Sequence, residues 1–210
     1  METTTEYTQS CIVNPDIPQT MPGIISLPFN MFEEIFAHLT IFDIANICMT
    51  NKFFYKLVNK HKWNIRSIIL KDNFRNHHIS YILARFCAPE IHFNSVAMNK
   101  MNDVFDIINY KTVIISDTNI YYFNDNISEQ FYENLAKIEK LVLINVDIIA
   151  FVLKSLKNCK SIEFSRMNIR YPIISTLNQL KLDSICFNKC QFQDHDLISY
   201  LKIPKNFKII

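Results

Sequence analysis

The chain has 210 residues, 49% of them hydrophobic and 20% charged, the composition of a globular protein that can bury a core. Its single glycine, Gly23, stands where average usage would supply about fifteen; this excludes the Gly-rich loops of Walker, dinucleotide and kinase nucleotide sites and the G-x-S-x-G nucleophile elbow. The net charge of +2 conceals two unlike segments: the first 51 residues hold six acidic side chains and no Lys or Arg, whereas the remainder sets 22 basic residues against 14 acidic.

Residues 1–25 are polar and Thr-rich, carry Pro15, Pro18 and Pro22, and show no apolar period, so they read as a flexible leader. METTTEYTQSCIVNPD lacks the basic and apolar regions of a secretory signal, and the longest later apolar stretch, Ile148 to Leu153, is far short of the roughly 18 residues of a membrane span. These features predict a soluble intracellular protein, cytoplasmic or nuclear, with no membrane partner. Cys11, Cys48, Cys87, Cys159, Cys186 and Cys190 show no paired spacing and are expected as reduced, mostly buried thiols. The sequon at Asn126-Ile127-Ser128 is then idle.

The pattern turns helical between residues 26 and 64. Phe32, Ile35, Phe36 and Leu39 share one helix face behind Pro28, and Ile44, Ile47 and Cys48 mark a second helix entered through a Thr40-x-x-Asp43 capping box. Phe53, Phe54, Leu57 and Val58 mark a third. Three short helices cannot bury a large core alone, so this unit should lean on a neighbouring domain or a partner.

From residue 65 to 210 another periodicity takes over and repeats. Ile68, Ile91, Val113, Leu141, Ile162 and Ile185 follow one another at intervals of 21 to 28 residues, the period of leucine-rich repeats. Two positions later stand Leu70, Phe93, Ile115, Leu143, Phe164 and Phe187; three earlier, Ile65, Ala88, Tyr110, Ile138, Cys159 and Leu182. Seven later stand Arg75, Met98, Ile120, Ile148, Ile169 and Phe192, of which only Arg75 is polar. Amphipathic stretches lie between the copies: Ile82, Leu83 and Phe86; Val104, Phe105 and Ile108; Ile127, Phe131 and Leu135; Phe151, Val152 and Leu156; Ile173, Ile174, Leu177 and Leu180; Leu197, Ile198 and Leu201. The fold expected is therefore α/β: a small three-helix unit, then a solenoid of about six strand-helix repeats with a parallel sheet. A run at Phe207 to Ile210, 25 residues after Ile185, reads as the start of a seventh strand.

The fifth position after the reference residue, Asn or Cys in such repeats, here reads Asn73, Val96, Thr118, Val146, Met167 and Cys190. The middle turns must therefore satisfy their backbones by other means. Strand residues that alternate with the buried ones should face the concave surface. Among them His92, Ile114, Lys140, Val142, Glu163 and Cys186 are candidate target-binding residues, with Ile114, Val142 and Ile144 an apolar patch rimmed by Lys140 and Glu163. Coverage of that patch by a loop or by the leader is the alternative.

Leu27-Pro28, Ile35-Phe36-x-x-Leu39, Asp43-Ile44, Met49-Thr50-Asn51-Lys52-Phe53-Phe54 and Trp63 together resemble an F-box, the motif that docks substrate receptors on the Skp adaptor of cullin-based ubiquitin ligases. Asn30 departs from the acidic residue many F-boxes carry there, and Phe53 stands where Trp or another aromatic is usual. Loss of the acid removes a helix-dipole interaction of about 0.3–1 kcal/mol, for which Glu33 and Glu34 could partly compensate. The resemblance implies adaptor contacts at Leu27, Pro28, Ile35, Leu39 and Ile44, a cullin reached through the adaptor, and an unidentified target protein held by the repeats. It implies a non-catalytic receptor subunit of an SCF-type ligase, without cofactor. A leucine-rich scaffold capped by the helices, or a decoy that occupies the adaptor, is the rival.

Other chemistry is weaker. Cys186, Cys190 and His195 lack zinc spacing and a fourth ligand, and Cys190, Asp194 and His195 name a cysteine nucleophile only by proximity in sequence. His77 and His78 with Cys87 are weaker still. Lys52, Lys56, Lys60, Lys62 and Arg66 make a basic stripe read as a solvated face rather than a nucleic-acid site.

Overall fold

The computed structural model describes residues 23–71, 73–95, 110–117, 129–146 and 150–210. The readings placed on residues 1–22, Val96, Met98, Val104, Phe105, Ile108, Thr118, Ile120, the sequon at Asn126, and Ile148 lie outside these residues, as do the side chains of Phe131 and Phe151.

After a 3-10 turn at Ile24–Ser26, three helices open the fold: α1 (Phe29–Ala37), α2 (Ile41–Thr50) and α3 (Lys52–Lys60). Pro28 occupies the N-cap of α1, where its missing N–H costs nothing. Thr40 and Asp43 close a capping box at α2: Thr40 N donates to Asp43 Oδ2 at 2.8 Å, and Asp43 N donates to Thr40 Oγ1 at 3.4 Å. These hydrogen bonds from Thr40, side chain first and backbone second, hold the Asp43 carboxyl below its usual range. Asn51 ends α2 and caps α3, accepting from Phe53 N at 2.7 Å. The first turn of α1 contains no acid. Glu33 and Glu34 lie beyond that turn, so they do not replace the dipole interaction absent at Asn30.

The remaining elements are strands with interleaved helices. In chain order they are β1 (Trp63–Asn64), β2 (Ile68–Lys71), α4 (Asn76–Arg85), β3 (Phe86–Cys87), β4 (Glu90–Asn94) and β5 (Thr112–Ser116). Next come α5 (Glu129–Leu135), β6 (Lys140–Ile144), α6 (Ala150–Lys154), β7 (Ser161–Ser165), β8 (Asn168–Ile169) and α7 (Tyr171–Leu177). β9 (Ser184–Asn188), β10 (Gln191–Phe192), a 3-10 helix at His195–Tyr200 and β11 (Asn206–Ile209) complete the chain. The stretch around Leu197, expected as an amphipathic helix, thus takes the tighter 3-10 form and buries Leu197.

Seven parallel strands form one sheet in the order β2-β4-β5-β6-β7-β9-β11, so each strand pairs with that of the next copy. Ile68, Ile91, Val113, Leu141, Ile162 and Ile185 are register partners in turn. The series ends on Phe207, which places the seventh strand 22 residues after Ile185, not the 25 read from the sequence. A second row runs from Leu70 through Phe93, Ile115, Leu143 and Phe164 to Phe187, all buried. The period-2 alternation of each strand puts both rows on the core side.

The helices and the sheet share one core. Trp63 is fully buried against Phe36, with ring centroids 4.5 Å apart, and its Nε1 donates to Val58 O at 3.3 Å. Its strand pairs in parallel with β3, Trp63 opposite Phe86, and Arg66 N donates to Leu39 O. Apart from Val142, the described buried hydrophobic residues from Phe32 to Leu201 form a single cluster. The three-helix unit therefore does lean on its neighbour, as its small volume requires.

At the end of five strands the backbone turns through the left-handed region, at Ser95, Asp117, Asn145, Arg166 and Lys189, with φ between 50° and 56°. Each lies four residues after its reference position, and none is glycine. Such a conformation costs an L-residue about 1–2 kcal/mol. In return each N–H extends the ladder, as when Asp117 N donates to Ile144 O at 2.9 Å and Arg166 N to Asn188 O at 2.9 Å. Asn145 Nδ2 also donates to Asp117 Oδ1 at 2.9 Å. This is the other means by which the turns are satisfied where the Asn or Cys is missing. At the fifth position Val146 and Met167 are simply buried, whereas the Cys190 thiol donates to Phe164 O at 3.4 Å. Asp and Asn tolerate the left-handed region and Arg does not. Arg166→Gly is therefore expected to stabilise the fold by about 0.5–1 kcal/mol and Arg166→Val to destabilise it by about as much. Urea midpoints of the three proteins check this; equal midpoints would contradict it.

Candidate functional site

Two surfaces bring the sequence-predicted residues together. On the helical unit, Pro28, Met31 and Ile35 follow at helical spacing along one face of α1. Pro28 is exposed, Met31 is 39% exposed, and Leu27, Ile35 and Leu39 are half-buried. Leu27, Ile35 and Leu39 pack with one side against the core and leave the other to solvent. Ile44 differs: it is 1% exposed, on the inner face of α2, and so presents no surface to a partner. Its apolar character, which the motif shares between core and contact positions, is spent on holding α2 in place. Met31 was missed by the sequence reading; its place three residues after Pro28 and four before Ile35 was the available signal.

Phe29 orients this surface from below, its ring 4.6 Å from His61 and 5.2 Å from Trp63. Nε2 of His61 is buried there without a hydrogen-bond partner among the described residues.

The second surface is the sheet face turned away from the core. Register partners place Ile69, His92, Ile114, Val142, Glu163, Cys186 and Lys208 in one continuous row. Five of the six predicted residues fall in it, and Lys140 stands in the adjacent row between Thr112 and Ser161. His92 is half-buried, its Nε2 2.9 Å from Ser116 Oγ, and burial pulls its pKa down against the opposing pull of Glu90 and Asp117. Val142 is 7% exposed and stands apart from the main core cluster, so it is not the open apolar contact expected of it. Ile114 and Ile144 remain half-buried beside it. Burial raises the Cys186 thiol pKa, Glu163 adds to this, and Lys208 and Lys140 oppose it.

The cysteines do not sit as expected. Among the described cysteines only Cys159 is buried, its pKa pushed up to about 11 by desolvation; Cys48, Cys186 and Cys190 are half-buried and Cys87 is exposed. Positions on an apolar period reach the core only where the sheet or a helix covers them. Cys190 lies in a strand-end turn, whereas Asp194 and His195 are exposed at the following 3-10 helix. Among the described residues no three His, Cys, Asp or Glu side chains converge as a metal site would. Nor is any described helix long and apolar enough to cross a membrane.

The three helices, their capping box and Trp63 coincide with a segment that matches a known domain family. Residues 24–66 match the F-box domain. The chain thus carries an F-box, followed by the parallel sheet. No curated protein and no solved structure matches the chain. An F-box suggests a role in binding the Skp-type adaptor of SCF ligases, and through it a cullin.

Proposed function

We propose that this F-box protein is the substrate-recognition subunit of an SCF-type ubiquitin ligase, intracellular and itself non-catalytic. The observation that carries the reading is the match of residues 24–66 to the F-box together with the half-exposed apolar strip of Leu27, Pro28, Met31, Ile35 and Leu39. Exposed apolar side chains on a small helical unit are what a protein partner covers. The in-register parallel ladder supports reading residues 65–210 as a leucine-rich-repeat domain of strand-helix units. Its row of His92, Ile114, Glu163 and Cys186, with Lys140 alongside, is then the surface that receives the target. The contribution to catalysis is proximity: a target lysine held near the charged ubiquitin carrier gains effective concentration.

The continuous core between helices and sheet favours a second reading, a scaffold in which the helices serve only as the cap of the solenoid. Capture by a purified Skp-type adaptor separates the two. The wild type is expected to bind, and the Leu27→Ala/Pro28→Ala double variant to bind about tenfold or more weakly, since truncating central interface residues costs about 1–2 kcal/mol each. No binding by the wild type would leave the scaffold; equal binding by the variant would move the contact elsewhere. Ubiquitylation of a captured target on adding the cullin and its carrier would distinguish a receptor from a decoy.

A further inference from the structure

An open apolar groove of about 700 Å³ runs between α2, α3 and α4, where the F-box meets the first strand-helix unit. Phe42 and Met49 wall it from α2, Tyr55 from α3, and Phe74 and Tyr81 from the segment leading into and along α4. Of the five residues the resemblance gives to the adaptor, Leu27, Pro28, Ile35 and Leu39 do not line it, so it is separate from the strip described above; the buried Ile44 lies in its wall. Met49 and Tyr55 are the most exposed large apolar side chains of the helical unit, at 78% and 60%. Soluble proteins rarely leave such a cluster open without a partner.

Three observations define what fits. First, the rim is basic. The Lys71 ammonium lies 4.9 Å above the Phe42 ring and the Arg85 guanidinium 6.0 Å from that of Tyr81, while Lys52 and Lys56 stand one turn from Tyr55 and Asn59. Among the described residues no Asp or Glu lines the groove. Between Asp43 and Glu90 the sequence has eight Lys or Arg and one acid, Asp72, which lies outside the described residues. Among the described residues none of these cations forms an ion pair. Second, part of the groove's polar lining is already engaged: the Tyr81 hydroxyl donates to Asn59 Oδ1, and Asn59 Nδ2 donates to Tyr55 O at 2.8 Å, while Asn73 and His78 are exposed. Third, the walls are helices, and the short strands nearby, β1 and β3, are already paired with each other. A helix satisfies its own backbone hydrogen bonds and so asks of these walls only apolar contact.

We propose that this groove receives an acidic amphipathic helix from a partner protein other than the adaptor. Its apolar face fills the space between Phe42, Met49, Tyr55 and Tyr81, and its carboxylates meet Lys71, Arg85 and the α3 lysines. A nucleic acid fits less well, because the cations stand on the rim and the floor is apolar.

Two labelled peptides of about 18 residues, long enough to hold a helix, carry leucines at i, i+3, i+4 and i+7 and differ only in having Glu or Lys on the other face. Fluorescence anisotropy with the full chain is expected to show the Glu peptide binding about tenfold or more tightly than the Lys peptide, and losing affinity as salt rises. Met49→Glu, at an exposed position that folding does not need, and the pair Lys71→Glu/Arg85→Glu should each weaken the Glu peptide about tenfold. Circular dichroism and capture by the Skp-type adaptor should stay unchanged. Equal affinity for both peptides, no binding of the Glu peptide, or tighter binding of a single-stranded oligonucleotide would overturn the proposal. Loss of adaptor capture by Met49→Glu would overturn it too, by making the groove the adaptor's own seat.

Discussion

Trp63→Ala should destabilise the entire described fold by about 3–5 kcal/mol, the cost of deleting a large aromatic from a close-packed interior. Total stabilities of domains this size are about 5–15 kcal/mol, so the variant would lose a large share of its margin. The size of the effect follows from position. Trp63 fills the middle of the F-box core against Phe36 and Phe29, donates to Val58 O, and belongs to the strand that pairs with β3. Removing it opens a cavity in the helices and slackens the seam to the sheet together. Because one buried cluster runs through both parts, the emission of this single tryptophan and the far-UV circular dichroism of the wild type should trace the same urea transition. A loss below about 1 kcal/mol in Trp63→Ala, or two separate transitions in the wild type, would show that helices and sheet fold independently.

A comparable loss, about 3–5 kcal/mol, is expected for Phe164→Ala, but with a different distribution along the chain. Phe164 is fully buried and stacked on Phe187, centroids 5.3 Å apart and planes 13° from parallel. Phe187 in turn meets Phe192 and Phe207 edge-on. A stack of strand-helix units holds together mainly by nearest-neighbour contacts, so the weakened interface is the one between β7 and β9. Native-state hydrogen exchange should show the amides of β9 and β11 losing protection most, and those of β2 and β4 least. A uniform loss over all seven strands would mean that the sheet opens only as a whole.

Much of this was legible in the sequence because it depends on local spacing. The capping box needs only Thr40 and Asp43 three residues apart, and the ladder needs only an apolar residue every 21 to 28 positions with another two places on. A parallel pairing that joins each copy to the next preserves that spacing as register, so Ile91 meets Val113 and Val113 meets Leu141. Period and alternation also chose the row on the open face.

Depth was not legible. Ile44 and Leu39 both belong to the motif, yet Ile44 is core and Leu39 half-exposed, because burial depends on which way α2 is turned against its neighbours. Val142 was assigned to an open face by strand alternation, but alternation fixes a side of the sheet and says nothing of what else lies over it. The groove joins residues from α2, α3 and α4 that no motif links. With one glycine in the chain, nothing in its composition announces five left-handed turns, which arise because the ladder needs the N–H of the residue after each strand.

The amino-acid order alone thus determined the inventory: a helical F-box motif, a repeated strand, and which side chains of each strand face together. Those follow from spacing along a chain whose local geometry is fixed. Tertiary structure decided how far each side chain is withdrawn from water, which cations have no counter-charge among the described residues, and how helices and sheet merge into one core. These depend on contacts between residues distant in sequence, and only the packed chain brings such residues within reach of each other.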